Sequence, residues 1–250
     1  MPTSTRKVVL ITGAATGVGR ACAIGFARQG FNVAINFSRS KDEAIDTQRC
    51  VRLEGVDAEL FQADVSQDQQ VQAMVASVKQ QFGKLDVLVN CAATTFFIDA
   101  CDLDAMTEEK WDRVFAVNVK GAFFCSRTAA PLLSESGEGS IVNISSVAGE
   151  SGQGSSIAYS ASKGALNTLT KTLARALAPK IRVNAVCPGP VDSRWLLADM
   201  TSQEIHDLAA DWPIPRPAKP EDVATSVLYL CNETTFTTGQ LLTLDGGRTM

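Results

Sequence analysis

Histidine is almost missing from this chain: its 250 residues contain one, His206. That scarcity excludes a Ser-His-Asp triad unless His206 itself takes part, and it leaves a Cys/His zinc site without donors, so no metal is expected. His206 falls in the helical stretch T-S-Q-E-I-H-D-L-A, which reads as a surface position. The seven cysteines are odd in number, scattered, and never in C-x-x-C spacing. They read as small apolar fillers in a reduced, cytoplasmic setting. No apolar run approaches the about 20 residues of a membrane span, and the opening M-P-T-S-T-R-K lacks the apolar core of a secretion signal. Positive charge is not in excess either. The net charge of −4 argues against nucleic acid or an anionic membrane as partner. Linkers, repeats and low-complexity tracts are also absent.

What is present is an alternation of strand and helix signals. Lys7 to Ile11 (K-V-V-L-I) is a continuous β-branched run, as expected of a strand buried on both faces. A glycine-rich turn follows at 12–19, then a helical pattern closed by Gly30, then a second strand, N-V-A-I-N-F, at 32–37. Strand, turn, helix and strand make a βαβ unit, which favours a right-handed crossover and a parallel sheet. Further strands are expected at 57–61, 85–89, 140–144, 181–186 and 240–244, and helices over 40–54, 67–82, 107–133, 157–178 and 219–231. The fold class is therefore α/β: one doubly wound (Rossmann) parallel sheet of about seven strands, helices on both faces, over residues 1–250. The irregular stretch 188–218, rich in proline and carrying Trp195 and Trp212, is too long for an ordinary connection and reads as a substrate-binding insertion.

Two stretches carry chemistry. Gly13, Gly17 and Gly19 lie between the first strand and helix, where glycines let pyrophosphate approach the amides of a helix N-terminus. At the end of the second strand, where an acid would bind the adenosine ribose and signal NAD, the chain reads Asn36, Phe37, Ser38, Arg39, Ser40. Ser38 and Arg39 suit a 2′-phosphate, so NADP is the expected cofactor, with NAD open. The second stretch, 139–163, holds Ser145 and Ser146 at a strand end and then Tyr159 and Lys163 on one helix face. An ammonium beside a phenol favours its ionised form, which suits a group that gives or takes a proton.

Together these motifs resemble the short-chain dehydrogenase/reductase family, over essentially the whole chain. The matches are T-G-A-A-T-G-V-G at 12–19, Asp64-Val65, N-C-A-A at 90–93, Asn118 in V-N-V-K-G, N-I-S-S ending at Ser146, Y-S-A-S-K at 159–163, C-P-G-P-V at 187–191 and L-D-G-G at 244–247. The resemblance implies a hydride transfer between a nicotinamide cofactor and a ketone or secondary alcohol. Tyr159 would be the general acid/base, Lys163 would lower its pKa and bind the nicotinamide ribose, Ser146 would hold the substrate oxygen, and Asn118 would hold a water leading from Lys163 to solvent. The cofactor would lie along Gly13, Thr16, Gly17, Val18 and Gly19, with Asp64 and Val65 by the adenine and Asn90 and Ala92 by the ribose. Pro188, Gly189, Val191 and Ser193 would lie by the nicotinamide. Ala93 replaces the usual last glycine of the N-N-A-G pattern, Ser193 stands where a threonine is common, and Thr16 stands where many NADP enzymes carry a base.

The subgroup most similar in pattern is the 3-oxoacyl-ACP reductases. Their acidic carrier protein calls for basic docking residues near the fifth strand, yet 134–139 reads S-E-S-G-E-G and only Lys180 stands nearby. A small ketone or secondary alcohol is therefore the expected substrate, with an acyl-ACP as the alternative and an inactive cofactor-binding scaffold behind both. Thr94, Val147, Gln153 and Trp195 are the expected pocket residues. The family's subunit contacts imply a homotetramer, with a homodimer open.

Overall fold

The computed structural model describes residues 6–196 and 200–250. Residues 197–199 of the proline-rich insertion lie outside the described residues. Seven parallel strands form one sheet in the order β3-β2-β1-β4-β5-β6-β7. They are β1 (Val8–Ile11), β2 (Asn32–Phe37), β3 (Ala58–Gln62), β4 (Val87–Asn90), β5 (Gly139–Ile144), β6 (Ile181–Pro188) and β7 (Leu241–Leu244). β1, β2, β4 and β5 are buried along their whole length, as their unbroken apolar runs require. The pairing is continuous; Leu10, for instance, lies between Ala34 of β2 and Leu88 of β4.

Helices cover both faces. On one lie α1 (Gly17–Arg28), α2 (Lys41–Leu53) and α9 (Pro220–Leu228); Phe26, Ile35, Val51 and Val227 pack in a common core there. On the other lie α3 (Asp68–Phe82), α4 (Glu108–Phe115), α5 (Ala122–Glu135) and α7 (Ile157–Leu177), around Leu10, Val78, Leu133 and Leu173. The shorter α6 (Ala148–Ser151) and α8 (Ser202–Leu208) stand at the carboxyl ends of the strands.

Three local features bear on the site. The expected helix over 107–133 runs on unbroken but passes through a π-helical turn, Ala116–Gly121, between α4 and α5, and Asn118 sits in that turn. The loop after Ser146 contains the single turn α6. Inside the irregular stretch, α8 is started by a capping box in which Thr201 and Glu204 bond each other reciprocally. The base of that stretch is pinched shut by backbone bonds between Asp192 and Ala218 and between Ala218 and Pro190.

Candidate active site

Strand order reverses between β1 and β4, and in such sheets ligands bind at the carboxyl ends beside that switch point. The glycine turn leaves β1 there. Gly17 adopts a φ of +53°, and a Cβ at that position would meet only Ser193, at 3.8 Å, so its face stays open. Gly19 has no such room: an added Cβ would run into the Gly13 carbonyl. Thr16 gives α1 no side-chain cap, which leaves first-turn amides for an anion. Val18 packs back onto the core. These residues fit a dinucleotide's pyrophosphate.

The adenosine end is polar. Ser38, Arg39, Gln62, Asp64, Gln70 and Arg113 line one cavity. Arg39 is exposed and forms no ion pair with another described residue. Arg113 of α4 reaches Asp64 at 3.0 Å and Ser66 at 2.9 Å. Burial pushes the Asp64 carboxyl up, but hydrogen bonds from Ser66 and Arg113 outweigh it and hold the pKa below the ordinary aspartate value. Val65 is buried behind it against Gly121. Asn90 behaves differently from the other expected contacts. Its side chain is buried and its Nδ2 donates to Asn143 at 2.8 Å and Ser126 at 3.1 Å.

Ser146, Tyr159 and Lys163 converge beside the end of β5. Ser156 caps α7 by accepting the Tyr159 N–H at 3.2 Å, which fixes the tyrosine in the first helical turn. Burial pushes the Tyr159 phenol up to about 12, and the nearby Ser146 hydroxyl opposes the rise. Lys163 is 2 % exposed. Its Nζ donates to the Ile144 carbonyl at 2.7 Å and lies 5.5 Å from the centre of the Tyr159 ring. Burial pushes the ammonium down to about 8, against the opposing influence of Cys91 and Cys187. The expected lowering of the Tyr159 pKa by Lys163 is therefore not what governs the phenol in this arrangement: the ammonium lies over the ring and spends its short bond on Ile144. Ser145 turns the other way, donating to Asn167 at 2.6 Å.

Asn118 is 2 % exposed and its side chain is committed. Its Oδ1 accepts the Thr94 N–H at 2.8 Å, and its Nδ2 donates to the Thr94 carbonyl and to Ser162 Oγ, each at 3.0 Å. With both amide hydrogens used, a water held here would have to bond the carbonyl side of this residue. On the nicotinamide side, Gly189 donates to Leu244 at 2.9 Å, the Pro188 carbonyl accepts the Val147 N–H at 3.0 Å, and Val191 bridges to Ala218. The ring of Trp195 meets Tyr159 edge-on, 6.1 Å between centroids, and Gly154, next to Gln153, lies against the same tyrosine ring.

Sequence reasoning missed four residues that build this site. Thr12 Oγ1 accepts the N–H groups of Cys91 and Ala92, both at 3.0 Å, and so ties the end of β4 to the glycine turn. Arg113 holds Asp64, and Ser156 places Tyr159. Arg194 reaches back from the insertion to Glu43 at 2.7 Å and Ser40 at 3.0 Å, beside Thr16 and Gly17. Only Ser156 had a local signal, a serine just before a helical run.

The family model described as enoyl-(acyl carrier protein) reductase matches residues 13–249. The 3-oxoacyl-[acyl-carrier-protein] reductase FabG of Staphylococcus aureus is 38% identical over 250 residues, covering 98% of each chain. A solved structure from Burkholderia xenovorans, assigned to the short-chain dehydrogenases/reductases, superposes with a TM-score of 0.93 at 38% identity over 98% of both chains. The ligand-free aldohexose dehydrogenase of Thermoplasma acidophilum gives a TM-score of 0.85 at 32% identity, covering 97% of this chain and 93% of its own.

Proposed function

The chain belongs to the short-chain dehydrogenase/reductase family and is an NAD(P)-dependent oxidoreductase; from that premise we propose that it interconverts a small ketone and its secondary alcohol, with Tyr159 as the proton donor and acceptor. The observation that carries this reading is the convergence of Tyr159, Ser146 and Lys163 at the strand ends beside the open glycine turn. When bound, the nicotinamide supplies or takes the hydride. The chain's own groups do the rest. Ser146 and Tyr159 hold the substrate oxygen between two hydroxyls. In reduction Tyr159 gives its proton to that oxygen as charge develops on it, and in oxidation it takes one away. Lys163, charged below about pH 8, stabilises the phenolate left behind and reaches the ribose hydroxyls. Asn118 anchors Thr94 and Ser162 around the lysine and marks the route by which protons are replenished.

Gly13, Thr16, Gly17, Val18 and Gly19 would hold the pyrophosphate. Asp64 and Val65 would hold the adenine, Asn90 and Ala92 a ribose, and Pro188, Gly189, Val191 and Ser193 the nicotinamide. NADP is the preferred cofactor. Ser38 and Arg39, with no acid beside them at the end of β2, support that choice. The apolar faces of α4 and α5, where Trp111 and Phe123 are exposed, support assembly into a homotetramer. Among the described residues no helix is long and apolar enough to cross a membrane, and the enzyme works in the cytoplasm.

A second reading, an acyl carrier protein as substrate, is favoured by the FabG relative. Against it, Glu135 and Glu138 are exposed at the turn before β5, where an acidic carrier would meet like charge. Screening ketones and alcohols by nicotinamide absorbance, with acetoacetyl-ACP in the same panel, tests both. Faster turnover of at least one free ketone is the expected result; turnover of the carrier-bound substrate alone would reverse the assignment.

A further inference from the structure

Beyond β7 the chain turns back beneath the insertion. Ile214 donates its N–H to the Gly246 carbonyl at 3.0 Å, and a Cβ on Gly247 would come within 2.7 Å of Pro213, so the two segments are in tight contact. This packing delivers Arg248 to the mouth of the site. Its guanidinium lies over the ring of Trp212, 5.6 Å from the centroid, and donates to Gln153 Oε1 at 3.3 Å. Gln153 is next to Gly154, which lies against the Tyr159 ring, and Trp195 closes on the same ring.

Asp245 lies close enough to feel the Arg248 charge but does not pair with it directly. That carboxylate, three residues before Arg248, accepts the N–H groups of Gly247 and Thr249, both at 2.9 Å, and Thr249 Oγ1 at 2.6 Å. No described carboxylate lies within ion-pair distance of Arg248. A guanidinium carries five N–H donors around its edge. Stacking on Trp212 uses the face, and Gln153 takes one edge donor. The remaining edge has the fork geometry that binds a carboxylate through two bonds.

We infer that Arg248, held by Trp212 and Gln153, recognises a carboxylate on the substrate, so that the reacting ketone belongs to an oxo acid. The inference rests on the reductase reading above. In the reaction the carbonyl carbon gains a hydride from the reduced nicotinamide, its oxygen gains the Tyr159 proton, and the carboxylate is unchanged. The product is the corresponding hydroxy acid and the oxidised cofactor.

The test compares 3-oxobutanoate, 4-oxopentanoate and 5-oxohexanoate with their methyl esters, in the wild type, Arg248→Met and Arg248→Lys. At one chain length or more, the acid should exceed its ester in kcat/KM by about tenfold or more, the scale of one charge-assisted contact. Arg248→Met should bring that ratio near one, and Arg248→Lys should restore part of it. Esters used as well as acids at every length, or a ratio unmoved in Arg248→Met, would overturn the inference and leave Arg248 as a latch for the insertion. A second readout is independent of turnover. Tryptophan emission should change on titration with the preferred acid but not its ester, and Arg248→Met should abolish the change. If no ketone of any kind is reduced, the reductase reading fails. An acid-specific emission change would then still sustain the carboxylate site, and its absence would sink that too.

Discussion

Arg39 is the residue on which cofactor choice turns. It lines the adenosine cavity with Ser38, and no acid stands at the end of β2 to favour an unphosphorylated ribose. An exposed arginine meeting a phosphate makes a charge-assisted contact of about 1.5–3 kcal/mol. Steady-state kinetics should therefore show a higher kcat/KM with NADPH than with NADH, and Arg39→Ala should lower the NADPH value about 10- to 100-fold while moving the NADH value little. A wild type that prefers NADH would remove Arg39 from this role. The motifs at this scale were legible because each is a short run of fixed composition. Thr12, Arg113 and Arg194 were not, because their partners lie far along the chain: Thr12 meets Cys91, Arg113 meets Asp64, and Arg194 meets Glu43. The Lys163–Tyr159 relation was half legible. Helical spacing put them on one face, but only the fold shows the ammonium bonding Ile144 instead of the phenol.

Among the elements, α7 carries the chemistry and its first turn is the sensitive part. Ser156 is the cap, 3 % exposed, and its hydroxyl accepts the N–H of Tyr159 itself. Ser156→Ala should cost about 1 kcal/mol of stability, the usual worth of a cap. Because the frayed turn is the one bearing Tyr159, kcat should fall more than KM changes. Denaturant unfolding and steady-state kinetics on the same preparation check the two together; lost stability with unchanged kcat would separate the cap from the chemistry. The strands were all legible, since unbroken apolar runs such as V-V-L-I have no other comfortable place in a sheet buried on both faces. The π turn between α4 and α5 was not. Residues 114–121 read V-F-A-V-N-V-K-G, whose period continues across Asn118, and it is the pull of Thr94 and Ser162 on the Asn118 amide that accompanies the π turn. The helical stretch around His206 was legible, and its opening T-S-Q-E forms the capping box of α8.

For the whole molecule, burying Lys163 has a consequence for stability against pH. Its folded pKa of about 8 lies below the unfolded value of 10.5, so between those values the unfolded chain holds more protons. Stability contributed by this group therefore rises with pH across that window and is lowest below about 8. Tyr159 acts oppositely but higher, since its folded pKa of about 12 exceeds the unfolded value of 10.0. The partly buried Cys91, whose thiol is raised from 9.0 to about 12 by desolvation, also destabilises as pH rises above 9. The difference between wild type and Lys163→Met isolates the lysine. Urea unfolding of the cofactor-free protein at pH 7.5 and pH 9 should show the wild type gaining about 1 kcal/mol relative to the variant. A constant difference would mean that Lys163 titrates as it would in water.

Turnover depends on Tyr159 moving the proton. With the carbonyl substrate that the screen finds fastest, Tyr159→Phe should reduce kcat/KM by about 100- to 10,000-fold, the range a positioned general acid supplies. Its affinity for reduced cofactor, followed by nicotinamide fluorescence, should stay within about threefold of wild type, because the phenyl ring keeps the packing against Trp195 and Gly154. A variant that binds cofactor normally yet keeps a tenth or more of wild-type turnover would contradict the account.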